Sequence, residues 1–127
     1  MKKNLHRIIM SALLTVLATV AASAQCYIVG SDNEWKTNTA AAELAETATT
    51  GVYEGDVTFV NGAQYFTVTQ HLTTGDDDWT EFNKNRFAPS VFDAMLVINE
   101  PMTMVKGRDA SFKVPVAGTT YRMRIDF

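Results

Sequence analysis

Apolar and polar residues alternate along much of this chain with a period of two, the spacing of a strand that buries one face. The clearest case is at the end, where Tyr121, Met123, Ile125 and Phe127 fall on one side behind a glycine turn and Arg122, Arg124 and Asp126 on the other. A second runs over residues 52–60, with Tyr53, Val57 and Phe59 on one face and Glu54, Asp56 and Thr58 on the other. Asn61-Gly62 then predicts a hairpin returning through residues 65–72, which are rich in β-branched and aromatic side chains. Residues 27–29 form a short apolar strand ended by Gly30, and Trp35 follows among Asp32, Asn33, Glu34 and Lys36. The continuous apolar run at 94–99 predicts a strand buried on both faces. Shorter strands at 102–105 and 110–116 flank a turn at Lys106-Gly107-Arg108-Asp109. Pro115 has no N–H for a ladder and belongs at a strand end or edge.

Two stretches are less patterned. Residues 37–50 are rich in Ala and Thr with Leu44 their only large apolar side chain, which leaves a helical turn at 40–46, a loop and a short edge strand all open. Residues 81–89 read as a polar loop, since their asparagines and Pro89 argue against regular structure. Seven or eight short, mostly antiparallel strands separated by turns predict one all-β sandwich.

The N-terminus changes where that domain starts. Basic residues at Lys2, Lys3 and Arg7 precede an apolar run at 8–20, and Ala22-Ser23-Ala24 supplies the small residues of a signal-peptidase site. Residues 1–24 are therefore read as a signal peptide and 25–127 as the single mature domain. A retained span would need about 20 apolar residues. Acylation of Cys26 would need a small residue before it, where Gln25 stands. Eight basic residues against fourteen acidic ones remain, a mature net charge of −6, which speaks against nucleic acid. Basic residues concentrate after residue 84 and acidic ones before it, an arrangement that predicts ion pairs across strands. Cys26 is the only cysteine, so the domain has no internal disulfide and must stand on packing; the start of a strand favours a buried thiol.

Tyr27-Ile28-Val29-Gly30 with Trp35, Gly51 to Val57, Gly107-Arg108-Asp109-Ala110-Ser111-Phe112, and Gly118-Thr119-Thr120-Tyr121 closing on Ile125-Asp126-Phe127 together resemble the immunoglobulin-like modules of the SusE and SusF starch-binding outer-membrane proteins of Bacteroidetes. The resemblance implies an immunoglobulin-like sandwich, carbohydrate binding, and export to the periplasm, cell surface or medium of a Gram-negative bacterium. Family modules continue past the equivalent of Ile125-Asp126-Phe127 into one more strand. The edge beside residues 120–127 is accordingly expected to be open to another envelope protein.

Sugars stack their apolar faces on aromatic rings, while amides and charged groups bond their hydroxyls. Trp79, followed by Asn83, Lys84, Asn85 and Arg86, has that composition and is either a platform or a packing residue. Trp35 reads first as a cap on the core and second as a platform. The expected ligand is a polysaccharide or oligosaccharide, starch or a related α-glucan in the first instance. The alternative is a structural or interaction subunit. Asp76-Asp77-Asp78 lacks the alternation of a calcium loop, and one mature histidine, His71, with one cysteine makes no zinc set. No nucleophile motif is present. A non-catalytic protein without metal or cofactor is therefore expected.

Overall fold

The computed structural model describes residues 6–11, 25–60 and 64–127. Its strands are β1 (Arg7–Ser11), β2 (Cys26–Gly30), β3 (Ala42–Glu46), β4 (Val52–Thr58), β5 (Tyr65–Thr69), β6 (Arg86–Pro89), β7 (Ala94–Met95), β8 (Met102–Lys106), β9 (Phe112–Lys113) and β10 (Thr120–Asp126). One short helix, α1 (Trp79–Asn85), precedes β6. Eight strands close a ring in the order β2, β3, β4, β10, β1, β8, β6, β5, with β5 returning to β2. Every neighbouring pair in that ring is antiparallel. β9 continues the edge of β5 beyond β6, and β7 lies parallel to β9.

The chain is thus all-β, but it is a closed eight-stranded barrel and not the expected immunoglobulin-like sandwich. Two corner strands make the difference. β3 pairs with β2 through Ala42, Glu43 and Leu44, then with β4 through Ala45 and Glu46. β8 likewise pairs with β1 through Met102 and Thr103, then with β6 through its last three residues. A strand that changes partner midway turns a corner between sheets, and periodicity shows which face a strand buries but not where it changes partner. The eighth position is filled by β1, from the stretch read as leader. β10 is therefore paired along both edges, with β4 and β1, where an open edge was expected.

The interior is continuous and apolar. Ile8, Met10, Ile28, Phe66, Val68, Phe112, Val114, Met123 and Ile125 are all fully buried, and Phe66 lies 5.3 Å from both Phe59 and Phe112 between ring centroids. Tyr121 is buried with its hydroxyl donating to the Val116 carbonyl at 3.0 Å and accepting from the Val116 N–H at 3.1 Å. Outward positions on β10 carry the cross-strand ion pairs that the charge distribution predicts: Arg122 meets Glu54 at 3.4 Å and Asp56 at 3.3 Å, and Arg124 meets Glu54 at 3.0 Å. On β10 the inward positions are thus apolar and the outward ones polar or charged. Among the described residues no helix is long and apolar enough to cross a membrane.

Three local expectations are corrected. Asn61-Gly62 lies outside the described residues, yet the strands on either side of it do not pair with each other. Phe59 instead exchanges backbone bonds with Gly118 and Thr119. Residues 94–99 supply only the two-residue β7, with Leu96 buried while Met95, Val97 and Ile98 are exposed. Residues 81–89 are not a loop. Asp78 caps the helix by accepting the Glu81 N–H at 3.2 Å, Phe82 anchors it in the interior, and β6 begins at once with Arg86. The stretch left open at 37–50 contains β3, whose Leu44 is the buried residue.

Candidate functional site

The site is built from three chain segments. The first is the turn behind β2. Gly30 passes so close to β5 that a Cβ there would lie 2.2 Å from the Tyr65 carbonyl oxygen, so no larger residue fits. The chain then makes a 3-10 turn over Ser31–Asn33, and Glu34 and Trp35 both take left-handed backbone conformations with φ near 58°. For a bulky residue such as tryptophan this is an uncommon and costly conformation, and such strain gathers at functional positions. Asn33 holds it in place. Its Oδ1 accepts the Gly30 N–H at 2.8 Å, and its Nδ2 donates to the carbonyls of Lys36 and Thr39 at 2.9 and 3.0 Å.

The second segment is the acidic turn and α1. Thr37, fully buried, joins it to the first: its hydroxyl donates to the Gly75 carbonyl at 2.9 Å and accepts the Asp78 N–H at 3.0 Å, and its N–H donates to the Asp76 carbonyl at 3.0 Å. The three aspartates therefore form a turn that starts a helix, and among the described residues no cluster fit to hold a metal occurs. Trp79, the first residue of α1, comes to 6.3 Å from Trp35 between ring centroids, the planes tilted by 48°. Both indoles are half-buried.

Arg86 closes the floor. It is 2% exposed. Nε donates to Thr67 Oγ1 at 3.2 Å, Nη1 to Asn83 Oδ1 at 3.0 Å and Asp109 Oδ1 at 3.1 Å, and Nη2 to the Ala110 carbonyl. Those four bonds use four of the five guanidinium N–H groups. The guanidinium carbon also lies 5.8 Å from the ring centroids of Trp79 and Phe82, within cation–π range. Burial lowers the pKa of Arg86 and neighbouring Asp109 opposes that shift; an arginine stays charged nonetheless. The third segment, between β8 and β9, brings in Asp109 and Ser111.

Trp35, Trp79, Asn83, Arg86, Asp109 and Ser111 line one open pocket with a cavity volume of about 390 Å³, within the usual range for small-ligand sites. Four of the six residues expected at a sugar site meet here. Lys84 and Asn85 do not line it: Lys84 pairs with Glu81 at 3.4 Å, and the Asn85 amide donates to the Glu81 carbonyl at 3.1 Å. Arg86 differs from its expected role, because it is a buried strut with one N–H to spare and not an exposed contact. The sequence does not single out Asp109 and Ser111 as site residues, nor Asn33 and Thr37, which brace the turns that carry Trp35 and Trp79. Only the turn at Gly107 hinted that a polar loop stood there. Cys26 is fully buried, and that burial, with Glu43 nearby, pushes its thiol far above the usual range. His71 is exposed and is not one of the lining residues. No family model, curated protein or solved structure matches the chain.

Proposed function

We propose that the barrel is a non-catalytic carbohydrate-binding domain whose ligand enters the pocket between Trp35 and Trp79. The observation that carries this reading is the meeting of two half-buried indoles, 44 residues apart in sequence, over a polar floor. Inclined rings offer apolar faces for a pyranose. Asp109, whose side chain is 81% exposed, accepts from hydroxyls; Asn83 and Ser111 add donors and acceptors; and the spare Arg86 N–H points the floor toward an oxygen ligand. The strained backbone at Trp35 supports the same reading, since packing alone needs no such conformation. Starch and related α-glucans, which the sequence resemblance implies, are the first ligands to examine, although the barrel is not the sandwich of SusE and SusF modules.

Affinity electrophoresis of the exported protein in gels containing starch or other glycans tests the proposal. Retardation should be lost in Trp35→Ala and Trp79→Ala and weakened about fivefold or more in Asp109→Ala, since one bonded hydroxyl left unpaired is worth about 1 kcal/mol or more. Unretarded migration of the unsubstituted protein in every glycan would refute it.

A further inference from the structure

β1 occupies a position that the leader reading makes temporary. It lies between β10 and β8, with Ile8 opposite Ile125, Ile9 opposite Arg124 and Met10 opposite Met123. Its inward residues Ile8 and Met10 are fully buried in the core. The Met10 carbonyl accepts the Asn99 N–H at 2.7 Å, the carbonyl of His6, just before β1, accepts the Met104 N–H at 2.9 Å, and Arg7 pairs outward with Asp126 at 3.2 Å. The same residues precede the Ala22-Ser23-Ala24 cleavage pattern. Cleavage there would take β1 away. It would leave two strand edges with unpaired backbone groups and a gap in the core where Ile8 and Met10 had been, both costly in water.

We propose that removal of the leader converts the β1 position into an acceptor slot for an extended segment of another polypeptide, added antiparallel to both β10 and β8. The seated strand defines what fits: apolar residues at two positions spaced by one, and a basic residue before the first of them to meet Asp126. Main-chain bonds to β10 and β8 would supply affinity and the two inward sites would supply selectivity, the division seen in β-strand addition generally. A partner protein is favoured over a free peptide by what borders the slot. Beside the Asn99–Met10 bond lie Val97 and Ile98, 51% and 39% exposed, an apolar shoulder on which a folded neighbour can rest. This inference stands apart from sugar binding, because none of the residues lining the pocket belongs to β1, β8 or β10.

The experiment uses the protein as exported. Intact-mass measurement should place its N-terminus at Gln25, and retention of Met1 would overturn the proposal. The processed chain is then titrated with a fluorescent peptide of residues 6–11 and with the same peptide carrying Ile8→Asp and Met10→Asp. The first should bind one per chain, and the second more than about a hundredfold more weakly, as expected for burying two carboxylates. If the processed chain is unfolded alone, the first peptide should restore its melting transition and the second should not. A processed chain that melts cooperatively and takes up neither peptide, or both equally, overturns the proposal. So does one that closes the slot with a second copy, seen as a dimer that excludes the peptide. In the envelope, a photo-cross-linker at Arg124 should capture a second protein, and capture should fall at least about fivefold when the peptide is supplied in excess, as mass action requires of a competitor for one slot.

Discussion

At the scale of single residues, the site depends on side chains that do not touch the pocket. Thr37 satisfies three backbone groups of the acidic turn while lying fully buried. Thr37→Val keeps the shape and leaves the Asp78 N–H without its partner, while the Gly75 carbonyl still accepts from the Thr73 hydroxyl at 2.7 Å. It should cost about 1–3 kcal/mol in guanidinium unfolding and weaken glycan retardation, whereas Thr73→Val should cost less. Cys26 makes the opposite kind of prediction. Burial raises its thiol pKa, so the native protein should resist iodoacetamide at pH 8 and react only on unfolding. The sign for stability follows: the folded state keeps its proton where the unfolded chain releases it. This contribution is therefore whole below the unfolded value of about 8.5 and shrinks as pH rises above it. Residue types in the sequence were enough to single out Trp35, Trp79, Asn83 and Arg86. They could not show that Arg86 would be buried, because its acceptors Thr67, Asp109 and the Ala110 carbonyl lie 19 to 24 residues away.

At the scale of elements, face alternation was legible and partner choice was not. Tyr121, Met123 and Ile125 point inward and Arg124 outward as the pattern predicts, because a strand's two faces are written in its own residues. The helix α1 escaped notice because seven residues with one inward side chain carry no measurable helical period. Its start was nonetheless present as Asp78 with Glu81 three positions on, a capping signal. Asp78→Ala should remove about 1 kcal/mol of stability and loosen Trp79, which a shift in retardation without a large fall in melting temperature would register. Gly30 is a sharper case. Gly30→Ala sets a methyl against the backbone of Tyr65 and Phe66, at 2.2 and 2.7 Å. Neither contact can yield by rotating a side chain, so thermal unfolding should show a loss of more than about 3 kcal/mol.

At the scale of the whole molecule, the barrel closes through contacts between distant parts of the chain, which is why composition and period led to the right class and the wrong architecture. A sandwich and a barrel of the same strands differ only at β3, β8 and β1. Two of these change partner halfway, and the third lies in a stretch whose sequence also reads as an export signal. The site sits on the opposite arrangement: β2, α1 and the turn before β9 converge because β5 holds β2, β6 and β9 together. That convergence has a spectroscopic consequence. The chain has two tryptophans, Trp35 and Trp79, and they face each other in one pocket while the core is lined by phenylalanine, tyrosine and aliphatic residues. Indole emission from this protein therefore reads one small region and is nearly blind to the barrel. Heating followed by emission should report when the two loops part, circular dichroism should report when the strands do, and any gap between the two transitions measures how independently the recognition surface breathes from its scaffold.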